Sequence, residues 1–316
     1  MATALDTEVH VGEVAIPLRR SRCVVAVQKD AGKRVVRRTD LDDISLPREV
    51  YGLCWDPQRK GIWASDKRSS KLCFFQGTSM EQVRQVLSHP EAFEPCALDW
   101  SNEHGLLAAY FGSCIGHPVP GAVFSWDLQG SPKRRTPQSF LARIAKCVWL
   151  KDSFAFVSYY ESVLYLCDLN GNMTTLTAPS RRVLPATEGA LPELHFRNIQ
   201  SLHYSKADDT LFVGDSNYGA VYALDLKARK YHLYAGRPRL SYLGERPVLV
   251  GGNGLDSSQW LGAVCAIFEW HGRICWFNGD TGFILPLHRN GIMKAIASVG
   301  ALPDASHLPT TVALPE

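Results

Sequence analysis

Some residues in this 316-residue chain have types and spacings that could do chemistry. Gly112-Ser113-Cys114-Ile115-Gly116 has the outline of a nucleophile elbow with cysteine as the attacking group. Such an elbow needs a strand before it and a helix after it. Pro118 and Pro120 follow instead, so the segment reads as a structured loop. Cys114 and His117 form a Cys-x-x-His pair, but no second pair lies nearby to complete a zinc tetrahedron. No catalytic residue, metal or cofactor is therefore expected. A polar run, Glu193, His195, Arg197, Asn198 and Gln200, is the best candidate for a binding surface. Glu49 and Tyr51 join it as candidates because they occupy comparable ground earlier in the chain.

The elements that must position these residues repeat. Five segments share one plan: a short apolar run ending near an aromatic anchor, a polar turn, then a second apolar run. The anchors read as Trp55, Trp100, Trp149, Tyr204 and Phe268. Each unit continues into a third apolar run: Leu72–Phe75, Val123–Trp126, Val163–Leu166, Val221–Leu224 and Phe283–Leu285. Shorter fourth runs follow in four units, at Val83–Leu87, Met173–Leu176, Tyr231–Tyr234 and Met293–Ile296. Four-to-six-residue runs rich in Val, Leu, Phe, Tyr and Trp, punctuated by Gly, Asn, Asp and Pro, are strands joined by tight turns. One four-stranded sheet cannot bury both faces, so several must stack around an axis. The expected fold is all-β, a β-propeller of six blades with four antiparallel strands each; five or seven are the alternatives. Residues 1–316 are expected to form a single domain, with 1–10 a flexible tail. Segments 23–38 and 309–315 are expected to close the ring and remove exposed sheet edges. Asp66, Asp215 and Asn278 recur after the second strand, which points to side-chain capping of turns.

The repeats resemble NHL repeats and the related gluconolactonase/regucalcin-type propellers. The resemblance rests on Leu211-Phe212-Val213-Gly214-Asp215-Ser216-Asn217 with Val221–Asp225, on Ile62–Asp66 with Leu72–Phe75, and on the glycine-rich Tyr234-Ala235-Gly236 and Gly251–Asp256 linkers. It covers about residues 49–290. It implies architecture more than activity, because fold alone does not fix function. The lactonases hold a divalent cation on acidic and asparagine side chains near the starts of their inner strands. Hard cations need several converging oxygens. Four residues before each anchor, this chain has Tyr51, Cys96, Ala145, Gln200 and Val264. Glu49 and Asn198 lie two residues off that slot, an even shift that keeps the strand face.

Composition bounds the rest. Hydrophobic residues make up 46% and charged ones 21%, which suits a large core and excludes a disordered chain. Net charge is +3, and the basic clusters are short, among them Lys133-Arg134-Arg135 and Arg181-Arg182. Nucleic-acid binders carry a concentrated basic face, so RNA association is a lesser alternative. No run reaches the ~18 apolar residues of a membrane helix. The first ten residues do not read as a signal peptide. Nine cysteines, without Cys-x-x-Cys and placed within apolar runs, fit buried thiols in a reducing compartment. The expectation is a cytoplasmic, non-catalytic propeller that binds a protein or peptide and no membrane. A lactonase-like hydrolase with a degenerate metal site is the alternative.

Overall fold

The computed structural model describes the backbone of residues 14–18, 23–30 and 33–40. It then describes residues 50–298 apart from 78–81, 113–118, 128, 182, 240–248, 251–253, 271–272, 279, 282, 289–290 and 295–296. Glu49, Cys114, His117, the expected tail at 1–10 and the closing segment 309–315 lie outside the described residues.

Five antiparallel sheets follow one another along the chain. Blade 1 comprises Val50–Asp56, Gly61–Asp66, Lys71–Gln76 and Val83–Leu87. Blade 2 comprises Pro95–Ser101, Gly105–Tyr110, Ala122–Trp126 and Pro132–Arg134. Blade 3 comprises Ile144–Trp149, Ser153–Ser158, Leu164–Asp168 and Met173–Thr175. Blade 4 comprises Ile199–Ser205, Thr210–Asp215, Ala220–Asp225 and Lys230–Gly236, and carries a fifth strand, Glu188–Ala190, on its outer edge. Blade 5 comprises Val264–Trp270, Arg273–Asn278, Phe283–Pro286 and Ala297–Ser298. First strands of successive blades pack on one another, so they form the inner wall.

The fold is a β-propeller, and the expectation of six four-stranded blades is corrected to five. The N-terminal strands Val14–Leu18, Cys23–Asp30 and Lys33–Asp40 form a sheet of three, whose first strand packs along the inner strand of blade 1. A further small sheet joins Leu249–Val250, Gly254–Asp256 and Ile292–Lys294. The run expected to close blade 5 at Met293 is thus drawn to Gly254–Asp256, and Ala297–Ser298 takes its place. Among the described residues no helix is long and apolar enough to cross a membrane.

The strand sequences follow from burial. Second strands such as Gly61–Asp66 and Gly105–Tyr110 are buried along their whole length, because neighbouring blades cover both faces. They therefore read as continuous apolar runs, whereas a strand with one wet face alternates. The outer strand Val83–Leu87 alternates in burial, and Met173–Thr175 is fully exposed. The core is divided into layers between blades. Trp63, Leu98, Tyr110 and Phe124 fill the seam of blades 1 and 2, and Ala97, Phe140, Trp149 and Phe156 that of blades 2 and 3. Val148, Phe196, Tyr204 and Tyr222 fill the seam of blades 3 and 4, and Phe212, Val264, Trp276 and Leu285 that of blades 4 and 5.

Every inner strand carries a β-bulge near its start, between Val50 and Leu53, Pro95 and Ala97, Ile144 and Lys146, Ile199 and Ser201, and Val264 and Ala266. Bulges twist a strand and re-aim its side chains. Aligning the five bulges corrects one anchor. Glu269, paired with Ile274, stands where Trp55 pairs with Ile62, and Phe268 is one residue out of phase. The slot occupied by Tyr51 and Gln200 is filled in blade 5 by Cys265, not Val264.

Side chains also latch neighbouring inner strands together. The Asp99 carboxylate accepts the Trp149 N–H at 2.6 Å, and Ser201 Oγ accepts the Ile267 N–H at 2.5 Å. The Cys96 thiol donates to the Ile144 carbonyl at 3.1 Å.

Candidate functional site

Antiparallel pairing brings three features to one end of the ring: the bulged starts of the inner strands, the turns between second and third strands, and the connectors that enter each blade. Of the described candidates, Tyr51, His195, Arg197, Asn198 and Gln200 come from the connectors and inner-strand starts at this connector face.

Its turns are built as expected from Asp66, Asp215 and Asn278, all buried. Asp66 accepts the Arg68 N–H at 3.2 Å and the Ser69 hydroxyl at 2.6 Å. Asp215 accepts four backbone N–H groups: Asn217 and Tyr218 in its own turn, both at 2.9 Å, and Arg197 and Asn198 in the incoming connector at 2.6 and 3.3 Å. Burial pushes the Asp215 carboxyl up, while those N–H groups pull it back down. Asn278 uses its amide oxygen for the Thr281 N–H at 2.8 Å and its NH2 for the Leu261 carbonyl at 2.6 Å. Asp215 and Asn278 thus each clasp turn and connector with one side chain, while Asp66 caps its own turn.

The candidates themselves fall into two groups. At blade 4, Gln200 Nε2 donates to Asn198 Oδ1 at 2.8 Å, and Asn198 Nδ2 donates to Asn217 Oδ1 at 3.2 Å. Arg197 is half-buried and its carbonyl accepts the Ser162 hydroxyl. His195 is buried, with Nε2 2.6 Å from the Val183 carbonyl. The Tyr218 hydroxyl donates to the same carbonyl at 2.8 Å and to that of Arg181 at 3.1 Å. Ser180 N–H donates to the Glu161 carbonyl at 2.8 Å. His195 and Tyr218 thus pin the backbone of the long connector into blade 4.

Tyr51 belongs to the second group, an alternating stack of rings and cations across blades 1 to 3. The Lys67 ammonium lies 4.7 Å from the Tyr51 ring centroid and 5.4 Å from that of Phe111. The Arg143 guanidinium lies 4.9 Å from Phe111 and 5.4 Å from Tyr160. Cations over aromatic faces at these distances gain from the ring quadrupole. Glu94 pairs with Lys67 at 3.5 Å, and Arg143 donates to Tyr160 Oη at 2.9 Å. Tyr159 packs edge-on against both Phe111 and Tyr160.

Beside this stack the face is apolar. Leu141 is 76% exposed, Tyr160 69%, Val183 59%, Tyr159 45% and Leu184 42%. These five side chains come from the connectors into blades 3 and 4 and the turn between them. The other exposed large apolar side chains among the described residues, such as Val86, Met173 and Ile292, stand on short outlying strands.

The stack was missed in the sequence, yet part of its signal was there. Six residues before Trp55 and Tyr204 stand Glu49 and Asn198. The same count from Trp100 and Trp149 gives Glu94 and Arg143. Among the described residues no group of three or more His, Cys, Asp or Glu converges as a metal site would require.

No protein-family model matches the chain, and no curated protein matches it in sequence. Solved structures match it closely in fold. A chain of the nidogen/laminin complex aligns with TM-score 0.60 and 8% identity, over 96% of this chain and 98% of that one. A Bacteroides caccae protein of unknown function aligns with TM-score 0.61 and 11% identity, over 97% and 99%. Streptogramin B lyase aligns with TM-score 0.59 and 10% identity, over 96% and 83%. At these identities the likeness is one of propeller architecture, shared by proteins that bind partners and by an enzyme.

Proposed function

We propose that this chain is a single-domain, non-catalytic propeller of the NHL and gluconolactonase-like kind that docks a protein or peptide on its connector face. One observation carries the reading: Leu141, Tyr159, Tyr160, Val183 and Leu184 are concentrated on that face, next to a stacked arginine. Aromatic and arginine side chains on a pre-shaped surface are the composition of binding hot spots. The backbone beneath is already pinned by His195 and Tyr218, so docking has little ordering cost to meet. Tyr51, Arg197, Asn198 and Gln200 border this shelf as polar rim. The likeness to a nidogen/laminin chain supports a partner-binding role without naming a partner. A cytoplasmic, reducing location fits the seven cysteines whose side chains are described, all of them buried.

The test is site-specific photo-crosslinking in cells that express the protein. A benzoylphenylalanine at position 141 is expected to capture a discrete partner, and one at Met173 on the outer strand of blade 3 is not. Leu141→Asp is expected to abolish the complex on size-exclusion chromatography. Equal capture at both positions, or a complex indifferent to Leu141→Asp, would overturn the reading.

A further inference from the structure

We propose that Arg143 is the anchor for a carboxylate, and that the partner presents an acidic peptide segment with an aliphatic or aromatic side chain beside its acid. This rests on the docking reading above and names the chemistry of what docks. The Arg143 guanidinium is clamped between the Phe111 and Tyr160 rings, with one N–H committed to Tyr160 Oη. The described ion pairs join Arg59 to Asp56, Lys67 to Glu94, His104 to Glu103, Arg134 to Glu91 and Lys151 to Asp209, and none of them includes Arg143. Along the stack, therefore, Lys67 is matched by a carboxylate, and Arg143 has none among the described residues. A stacked guanidinium is weakly hydrated and keeps a rigid fork of donors, the geometry that receives a carboxylate through two parallel hydrogen bonds. The aromatic clamp fixes that fork before any ligand arrives. Leu141, Tyr159 and Tyr160 supply an exposed apolar surface within the same cluster, which suits an apolar side chain next to the acid.

The experiment uses the full chain and an array of dodecapeptides in three matched arms. The first arm carries Asp or Glu beside Leu or Phe; the second replaces the acids with Asn or Gln; the third replaces them with Lys or Arg. Dissociation constants of the retained peptides are then measured by fluorescence polarisation on the parent protein, Arg143→Met, Arg143→Lys and Leu141→Asp. Acidic peptides are expected to bind the parent at least about tenfold tighter than their amide counterparts, as loss of a charge-assisted contact implies. Arg143→Met is expected to erase that preference, with Arg143→Lys intermediate, while melting temperatures stay close to the parent. Amide peptides that bind as tightly as acidic ones would overturn the proposal on the parent protein alone. If neutral peptides bind and Leu141→Asp loses them, the docking reading stands and the carboxylate anchor falls. If no arm binds, both fall.

Discussion

Gly219→Ala is the sharpest available probe of the blade 4–blade 5 seam. Gly219 lies in the turn between Asp215 and Ala220 at φ +62. A Cβ added there would stand 2.1 Å from Trp260 Nε1 and 2.3 Å from its Cδ1. Trp260 is buried, and the next residue's N–H donates to the Gly219 carbonyl at 2.9 Å. The indole is rigid, so it must retreat by about 1 Å to reach ordinary contact, an overpacking cost of roughly 1–3 kcal/mol. Left-handed backbone adds about 1 kcal/mol for an alanine, and the strained Leu261–Gly219 hydrogen bond about 1 kcal/mol more. The sum is about 3–5 kcal/mol. At roughly 2 °C per kcal/mol for a chain of this size, the melting temperature falls by about 6–10 °C. Gly77→Ala is the control, because Gly77 has φ +69 with nothing within 4 Å of the added Cβ. It bears the backbone cost alone, about 2 °C. Thermal unfolding followed by circular dichroism, with urea midpoints as a second measure, compares the two. Equal losses would mean that Trp260 does not press on this turn, and would refute the packing argument.

Three further outcomes follow from buried groups. Asp99 has its carboxyl pushed up to about 6, chiefly by burial, so the folded state takes up its proton more readily than the unfolded one. Its ionisation therefore costs stability as pH rises from about 4 to 6, and Asp99→Asn, which can still accept the Trp149 N–H, is expected to gain stability at pH 7 and match the parent near pH 4. His203 is shifted the other way, down to about 4 by burial, with Nε2 sealed and without a hydrogen-bond partner among the described residues. It stabilises above its ordinary pKa and loses that contribution, up to about 3 kcal/mol, as pH falls from about 6.5 to 4; His203→Leu is expected to flatten this acid limb in pH-dependent urea unfolding. Ser201→Ala orphans the Ile267 N–H and is expected to cost about 1–3 kcal/mol by the same assay, and a neutral result would remove the latch between blades 4 and 5.

The blades are legible because most second and third strands, such as Gly61–Asp66 and Ala122–Trp126, are buried on both faces and so had to be short apolar runs. What failed is equally physical. The anchor slot of blade 5 holds a charged residue, Glu269, where the other four blades have an aromatic, so the neighbouring Phe268 reads as the anchor instead. Pro132–Arg134 reads as a basic loop, and becomes a strand only because the edge Phe124–Trp126 offers it partners. Glu188–Ala190 has no strand-forming side chain and exists by pairing with Lys230–His232. The six-blade expectation counted Thr310–Leu314, which lies outside the described residues, as a strand. The polar cluster around Asn198 was visible as adjacent letters. The stack of Tyr51, Lys67, Phe111, Arg143 and Tyr160 was not, since the packing of three successive blades assembles it.

The short strand on the rim of blade 4 has one more consequence. A sheet edge is a row of idle donors and acceptors, and here the chain occupies it with its own connector: Glu188 opposite His232, Thr187 accepting the Leu233 N–H, and Leu191 donating to Arg229. That connector is the one that displays Val183 and Leu184 on the connector face. A single ribbon of chain therefore runs from the docking shelf to the outer circumference like a drawstring. On the docking proposal above, a partner seated on the shelf is expected to alter protection along this rim, so amide exchange at Leu233 becomes a remote gauge of occupancy.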